Sequence, residues 1–381
     1  MKVDVAIAGG GPAGLAMAIH TARRGLSTVV LERRASPPDK ACGEGVMPAG
    51  VGELELLGVL PLLSPADWAP FRGIRYVQED GTFAEGRLPG EGGLGIRRTA
   101  LVEALASRAR GAGAILHNGS AVLSHRRMRG SIEVQTEAGP VEAQILIAAD
   151  GLASPLRHAE GLDGLPITPL RFGLRQHFRR EPWTDFVEVH LSDGAEAYVT
   201  PVGPQRVGVA FLWEDRRLSK PITPEALCSR FPLLAEKLLG SELESSPRGA
   251  GPLARAARAR TADRFALLGD AAGYVDAITG EGLSLAFGCA AALASILPQA
   301  LARGASRDAL APYERAFAQL FRRYAWVTRS VLAISRRVRL RRQIIRYLSA
   351  HPETFDAMLR WFAAPQVHRG RFDDRAASPD S

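Results

Sequence analysis

Three cysteines in 381 residues is a small number, and Cys42, Cys228 and Cys289 lie far apart. They follow neither a metal-ligand spacing nor a disulfide framework, which fits a reducing compartment and excludes a small disulfide scaffold. A signal peptide is not expected, because "VDVAIA" begins at once and runs into glycines rather than a cleavage site. No uninterrupted apolar run of about 18 residues stands out, so no spanning helix is expected. A cytoplasmic protein is therefore expected, with a membrane surface left open as a peripheral contact. Acid is missing from one long stretch, Arg322 to Arg346, "RRYAWVTRSVLAISRRVRLRRQIIR". There Val327, Val331, Ile334, Val338, Ile344 and Ile345 recur at roughly helical spacing among arginines. Such a helix either shows a solvated basic face or touches an anionic membrane. The net charge of +8 invites a nucleic-acid reading, but no recognition fold or aromatic platform accompanies it, so no nucleic-acid partner is expected. Apolar content of 46% and charged content of 23% are ordinary for a globular chain with ample core.

What is present begins at the first residues. "VDVAIAGGGPAGLAMAIHTARRGLSTVVLERR" reads as strand, tight turn, helix, strand. Gly9, Gly11 and Gly14 supply G-x-G-x-x-G directly after the strand, with Pro12 and Ala13 opening the helix. Gly9 permits the turn, Gly11 admits a pyrophosphate to the backbone, and Gly14 lets helix and strand pack closely. The helix N-terminus aims unpaired N–H groups at phosphates. Glu32, with Arg33 after it, ends the second strand eighteen residues past Gly14, where an acid meets a ribose diol. The spacing indicates a dinucleotide and leaves NAD and FAD open.

Two later stretches favour flavin. "FALLGDAAGYVDAITGEGLSLAFGCAAALASI" opens on an apolar strand, Phe265 to Leu268, and turns at Gly269-Asp270. Gly280, Glu281 and Gly282 then lead into a long helix through Leu283. An acid at Asp270 suits the polyol of FAD, which NAD lacks, and the helix N-terminus favours a reduced anionic isoalloxazine. Between these lies "ILIAADGLASPLR", an apolar strand followed by Asp150-Gly151, Ser154 and Arg157.

Together these fingerprints resemble the group A FAD-dependent monooxygenases and their relatives, the para-hydroxybenzoate hydroxylase fold that also includes geranylgeranyl reductases and flavin halogenases. The resemblance spans residue 3 to about residue 300. It implies an α/β fold: an FAD-binding Rossmann-type domain built discontinuously from 1–70, 98–160 and 263–300. A substrate-binding antiparallel sheet from 71–97 and 161–262 would be inserted, followed by C-terminal helices over 301–365 and a disordered tail over 366–381. It assigns the adenosine ribose to Glu32, the ribityl chain to Asp270, and support of FAD and the nicotinamide donor to Asp150. Arg98 falls on the arginine that contacts FAD, with Arg97 the competing choice. Val122, Gly151, Arg157 and Gly43 complete the expected contacts with non-covalent FAD. NADH or NADPH would bind transiently as reductant, with O2 as co-substrate of a monooxygenase.

"RFGLRQHF", "FVEVHLS", "EAYVTPVG" and "RVGVAFLW" alternate apolar and polar residues as antiparallel strands do. Gln176, His177, His190, Tyr198 and Pro201 are candidate pocket residues, with Cys42 and Glu44 from "KACGEGVMPAG"; no catalytic residue is assigned among them. Halogenation fits worst, because the W-x-W-x-I-P sequence is missing. The leading expectation is hydroxylation of a hydrophobic aromatic, polyketide- or quinone-like, through a C4a-hydroperoxyflavin, placing the enzyme in secondary metabolism. The alternative is a prenyl reductase saturating C=C bonds of an isoprenoid, which "KACGEG" and "TGEG" resemble. An electron-transfer flavoprotein is the third reading. Cys42 is expected to line the isoalloxazine, with proton donation as the alternative: Lys40 lies close, but no partner cysteine is within reach in sequence for a flavin–disulfide relay.

Overall fold

The computed structural model describes residues 1–37, 39–215 and 222–363. The tail expected over 366–381 lies outside them. Short β-branched and alanine-rich runs buried on both faces build the first sheet, as parallel strands between helices require. Its order is Thr261–Ala262, Phe265–Leu267, Gly139–Ala148, Lys2–Ala8, Thr28–Glu32, Ile115–Asn118. Lys2–Ala8 sits centrally, parallel to both neighbours, with Val5 opposite Ile145 on one side and Thr28 on the other. Strands Val122–Arg127 and Ile132–Thr136 fold antiparallel onto Gly139–Ala148.

Helix Pro12–Ala22 packs between this sheet and helix Gly282–Ala302, also touching helix Arg98–Gly111. Its proline at the first turn has no N–H to leave unsatisfied. Gly14 makes the packing close: a Cβ there would stand 2.0 Å from the Gly9 carbonyl oxygen. Gly9 itself has φ +112°, and a side chain on it would meet the Ala149 carbonyl at 2.4 Å. The first turn therefore requires glycine for its conformation and for its neighbours.

A second eight-stranded sheet follows the order Glu242–Leu243, Arg171–Arg179, Arg206–Glu214, Ala195–Gly203, Phe186–Ser192, Gly73–Val77, Phe83–Arg87, with Arg248–Ala250 pairing off this path. The four alternating stretches form its antiparallel centre, for example Tyr198 opposite Ala210. A small third sheet joins Gly45–Val46, Gly93–Ile96 and Trp68–Phe71 beneath it.

The late helices add detail to one expectation and change another. Helix Gly282–Ala302 is long and apolar enough, by length and composition, to cross a bilayer. Ser284, Ser295 and Gln299 interrupt its apolar run in the written sequence. In the fold it is a core helix, with Phe287, Cys289, Leu293 and Leu297 buried against the first helix and the long helix Arg307–Ser335. The acid-free stretch is not one helix, because Arg307–Ser335 ends and Val338–Ala350 begins a new one before Pro352–Ala363. Many of its arginines are matched by acids from the second sheet. Arg336 pairs with Glu214 at 3.1 Å, and buried Arg341 with Glu79 at 2.7 Å. Arg342 and Arg346 approach Glu79 and Asp80.

Candidate functional site

One cleft of about 730 Å3 runs from the C-terminal ends of the first sheet's strands to the face of the second sheet. That is the place where open parallel sheets bind ligands, and the volume is that of a binding pocket. Its first half is polar and built from turns. Gly9, Gly11, Pro12, Ala13, Glu32, Arg33, Val122, Asp150, Gly151, Gly269 and Asp270 all line it, as does Arg98. Gly14 does not, since its role is packing.

The polar groups here are under-used. Glu32 accepts from Gly10 N at 2.7 Å and Arg34 N at 3.0 Å, which fixes its carboxylate at the strand end. Asp150 accepts from Leu156 N through one oxygen, while the other, buried, has no partner among the described residues. Arg98 Nε is likewise buried and unpartnered. Desolvation pushes the Asp270 carboxyl above the usual carboxylate range, against the charges of Arg98 and Lys40. Buried polar atoms left unpaired are expensive, and here they converge on a groove floored by glycine backbone. A diphosphate, a sugar diol and a polyol would satisfy them, so these residues fit FAD.

The competition between Arg97 and Arg98 has a structural outcome. Arg98 faces the cleft, whereas Arg97 turns away to donate to Glu44 Oε1 at 3.0 Å. Arg157 does not line the cleft either. Its guanidinium donates to Asp163, to the Ala271 carbonyl at 3.1 Å and to the Leu152 carbonyl at 3.2 Å. It thereby ties the Asp150 turn to the Asp270 turn, which lie more than 100 residues apart in sequence.

The Cys42–Gly45 loop lines the cleft, as do Gly280, Gly282 and Leu283. Glu44 takes φ +60°, a left-handed conformation that a side chain rarely adopts. It is held there from several directions. Oε1 accepts from Arg98 N at 2.8 Å as well as from Arg97, and Oε2 accepts from His177 Nε2 at 2.6 Å. His177 Nδ1 then accepts from Arg175 at 2.9 Å and contacts Ser245 Oγ at 2.8 Å. Arg175 reaches on to Asp39 and the Lys40 carbonyl. Burial pushes the Glu44 carboxyl up, but the His177 hydrogen bond and the Arg97 and Arg175 charges outweigh it and hold it below its ordinary range. Desolvation, aided by Arg175 and Arg97 and opposed by Glu44, keeps His177 below its own ordinary value. The pair is an ionised carboxylate facing a neutral imidazole. Cys42 lines the cleft, and its sulfur accepts weakly from Glu44 N at 3.4 Å.

The second half of the cleft is an apolar chamber. Phe71, Ile74, Val187, Val189, Leu212 and Leu253 are among its walls. Tyr198 lines it and donates to the Ile278 carbonyl at 2.9 Å. Tyr76 and Tyr274 add two more phenols. Burial, with the Glu196 charge, pushes Tyr76 up to about 12. Tyr198 and Tyr274 are driven well above the normal phenol value, again chiefly by burial. All three are neutral donors near neutral pH. The remaining candidates lie off the wall. His177 stands behind Glu44, and His190 is buried on the reverse face against Glu188 at 3.1 Å. Gln176 donates to the Ser245 carbonyl at 3.2 Å. Pro201 turns its carbonyl toward Gly95, where a Cβ would stand at 1.8 Å. Alternation explains the split, because Tyr198 and Thr200 share one face of their strand and Pro201 takes the other.

Residues outside the candidate set also build the cleft. Lys40 lines it, its amine lowered by desolvation and by Arg98 and Arg33, against Asp270 and Glu32. Thr200 Oγ1 donates to the Gly43 carbonyl at 2.8 Å, joining the second sheet to the cysteine loop. Neither carries a motif; each is placed by contacts distant in sequence.

Comparison with known proteins agrees with this geometry. The chain is 30% identical over 307 residues to menaquinone reductase of Mycobacterium tuberculosis, covering 74% of this chain and 73% of that one. Its fold matches a flavoprotein/dehydrogenase from Cytophaga hutchinsonii with a TM-score of 0.82, at 19% identity over 95% of this chain and 92% of that one. It also matches OxyS anhydrotetracycline hydroxylase from Streptomyces rimosus, with a TM-score of 0.71 and 27% identity over 96% and 76% of the two chains. The FAD binding domain family matches residues 2–325. The chain belongs to that family, an oxidoreductase of the superfamily that holds the FAD-dependent monooxygenases and the geranylgeranyl reductases.

Proposed function

We propose that the protein is an FAD-dependent, NAD(P)H-consuming monooxygenase that hydroxylates a lipophilic, quinone- or polyketide-like aromatic. The observation that carries this reading is the chamber: apolar walls beside the cofactor groove, with neutral phenols as the hydrogen-bonding groups on its face. Bound flavin would supply the oxygen-transfer chemistry; the protein supplies placement and dryness. Gly9, Gly11, Glu32, Arg98, Asp150 and Asp270 would hold FAD, and the Cys42–Gly43 backbone would lie against its ring.

Each chamber residue has a physical task. Phe71, Val187, Val189 and Leu212 exclude water and hold a ring by dispersion and desolvation. Tyr76 and Tyr274 can donate to a phenol or carbonyl oxygen of the substrate. Glu44, a carboxylate lining the cleft, is committed to Arg97, Arg98 and His177. With Asp150 and Asp270 given to the cofactor, the chamber walls named here offer no spare carboxylate base. That favours a substrate whose ring is already electron-rich.

The test is turnover under 18O2 with lipophilic phenols and quinols, followed by mass spectrometry. Gain of one labelled oxygen is expected. Gain of two hydrogens without oxygen would replace this reading with the second one, reduction of an isoprenoid double bond. A specific observation favours that alternative too: the Cys42 thiol and the Tyr274 hydroxyl line the same stretch of cleft, so two proton-bearing groups are available to quench a carbanion.

A further inference from the structure

The outer face of helix Arg307–Ser335 has no part in the cleft. Its inner face does the packing: Tyr324 accepts from Val275 N and Asp276 N and sits against Tyr274, and Thr328 meets Thr279 at 3.1 Å. On the outside, Arg322, Trp326 and Arg329 follow one another at i, i+4 and i+7, on one stripe of the helix. They border a groove of about 570 Å3 with Arg260, whose floor is Phe317 and Phe321. Trp326 is 57% exposed, and beside it, from the last helix, stands Trp361 at 55%. Their rings meet edge-on at 5.9 Å, so two helices present one indole pair to solvent.

Large indoles are rarely left in water as a contiguous patch without a use. Arg322 and Arg329 form no ion pair among the described residues, unlike Arg336, Arg341, Arg342 and Arg346, which acids of the second sheet engage. Arg260 lies over the Phe317 ring with its Nη1 4.0 Å from Glu314, so an acid of the same helix already engages it. Cationic guanidiniums flanking an exposed indole pair match the polar–apolar boundary of an anionic bilayer, where tryptophan settles at headgroup depth and arginine meets phosphate.

We propose that this face binds an anionic lipid surface, with Trp326 and Trp361 entering the headgroup layer and Arg322 and Arg329 meeting lipid phosphates. The charged stretch read from the sequence is thus divided: in its later part Arg336, Arg341, Arg342 and Arg346 are engaged by acids of the protein, and its earlier turn is the docking element. The proposal does not depend on which reaction the flavin performs, because vesicle binding and turnover of a detergent-solubilised substrate are measured separately.

The test is sedimentation of the full-length FAD-loaded protein with phosphatidylcholine vesicles, with and without phosphatidylglycerol. Binding is expected only to the anionic vesicles, with loss in high salt and a blue shift of tryptophan emission. R322E/R329E should weaken binding by about tenfold or more, given the energy of each basic residue near a charged leaflet. W326A/W361A should abolish the blue shift while retaining flavin absorbance, which certifies the fold. Equal binding to neutral vesicles, or an unchanged R322E/R329E variant, would overturn the proposal. So would displacement by millimolar inorganic phosphate alone, which would make this a free-anion site. Vesicle binding that emerges only after deletion of residues 364–381 would identify the chain's own terminus as the occupant and overturn it as well.

Discussion

The two halves of the cleft differ in what their polar atoms are doing. In the cofactor half, Asp150 and Arg98 keep buried atoms without partners, and Asp270 carries a desolvated carboxyl. In the chamber half Tyr198 is committed to Ile278, Thr200 to Gly43 and Glu44 to three donors, which leaves the phenols of Tyr76 and Tyr274 as its open polar groups. The first half is built to receive a polar ligand; the second has apolar walls, which under the proposed function would hold an apolar substrate away from water. An unsatisfied buried group is a binding site in waiting; a satisfied one is architecture.

The largest effect should come from breaking the cofactor half. Asp270→Ala is expected to lower FAD affinity by roughly 10- to 100-fold, the value of a hydrogen bond to a charged group. The purified variant should elute colourless from gel filtration; full flavin absorbance would remove the ribityl assignment. Next, the chamber can be filled without touching the cofactor half. Ala210→Phe should leave the protein yellow yet abolish turnover of the bulky aromatic, and unchanged turnover would place the substrate elsewhere.

A third change tests the wall between the halves. Glu44→Ala strands Arg97 and His177 and should cost about 3–5 kcal/mol of stability, measured by chemical denaturation, as loss of one partner of a buried pair does. The pH dependence has a definite sign. Glu44 is depressed in the fold, so its contribution is present above its unfolded value and fades as pH falls through the folded one. His177 is also depressed, so acid protonates it in the unfolded chain first and again favours unfolding. Wild-type stability should decline below about pH 6.5, and less steeply in a His177→Gln variant that still folds. The smallest effect is reserved for Cys42→Ser, which should leave NAD(P)H oxidation largely intact; total loss with FAD still bound would make the thiol a proton donor.

How far the sequence could be read follows the same division. Gly9, Gly14, Glu32 and Asp270 announce themselves because backbone geometry and strand ends restrict which residue stands there. The four antiparallel strands were legible from alternation. Which face of each strand meets the substrate was not, because alternation identifies two faces without saying which is inside. That is why Tyr198 lies on the wall while His190 and Pro201 do not. Tyr76, Thr200 and Lys40 are placed by contacts across long separations, and no local pattern marks them. The split of the basic stretch at Arg336–Arg337 was hidden for a related reason: the acids that engage its arginines, Glu79, Asp80 and Glu214, belong to distant strands and loops.

Arg157 gives the cleft a property beyond its shape. By joining the loops at Asp150 and Asp270 through two carbonyl oxygens, it spares an incoming cofactor the entropic penalty of bringing them together. Flavin uptake should then resemble rigid-body docking, with little folding coupled to it, and colour should return to stripped protein in one fast phase.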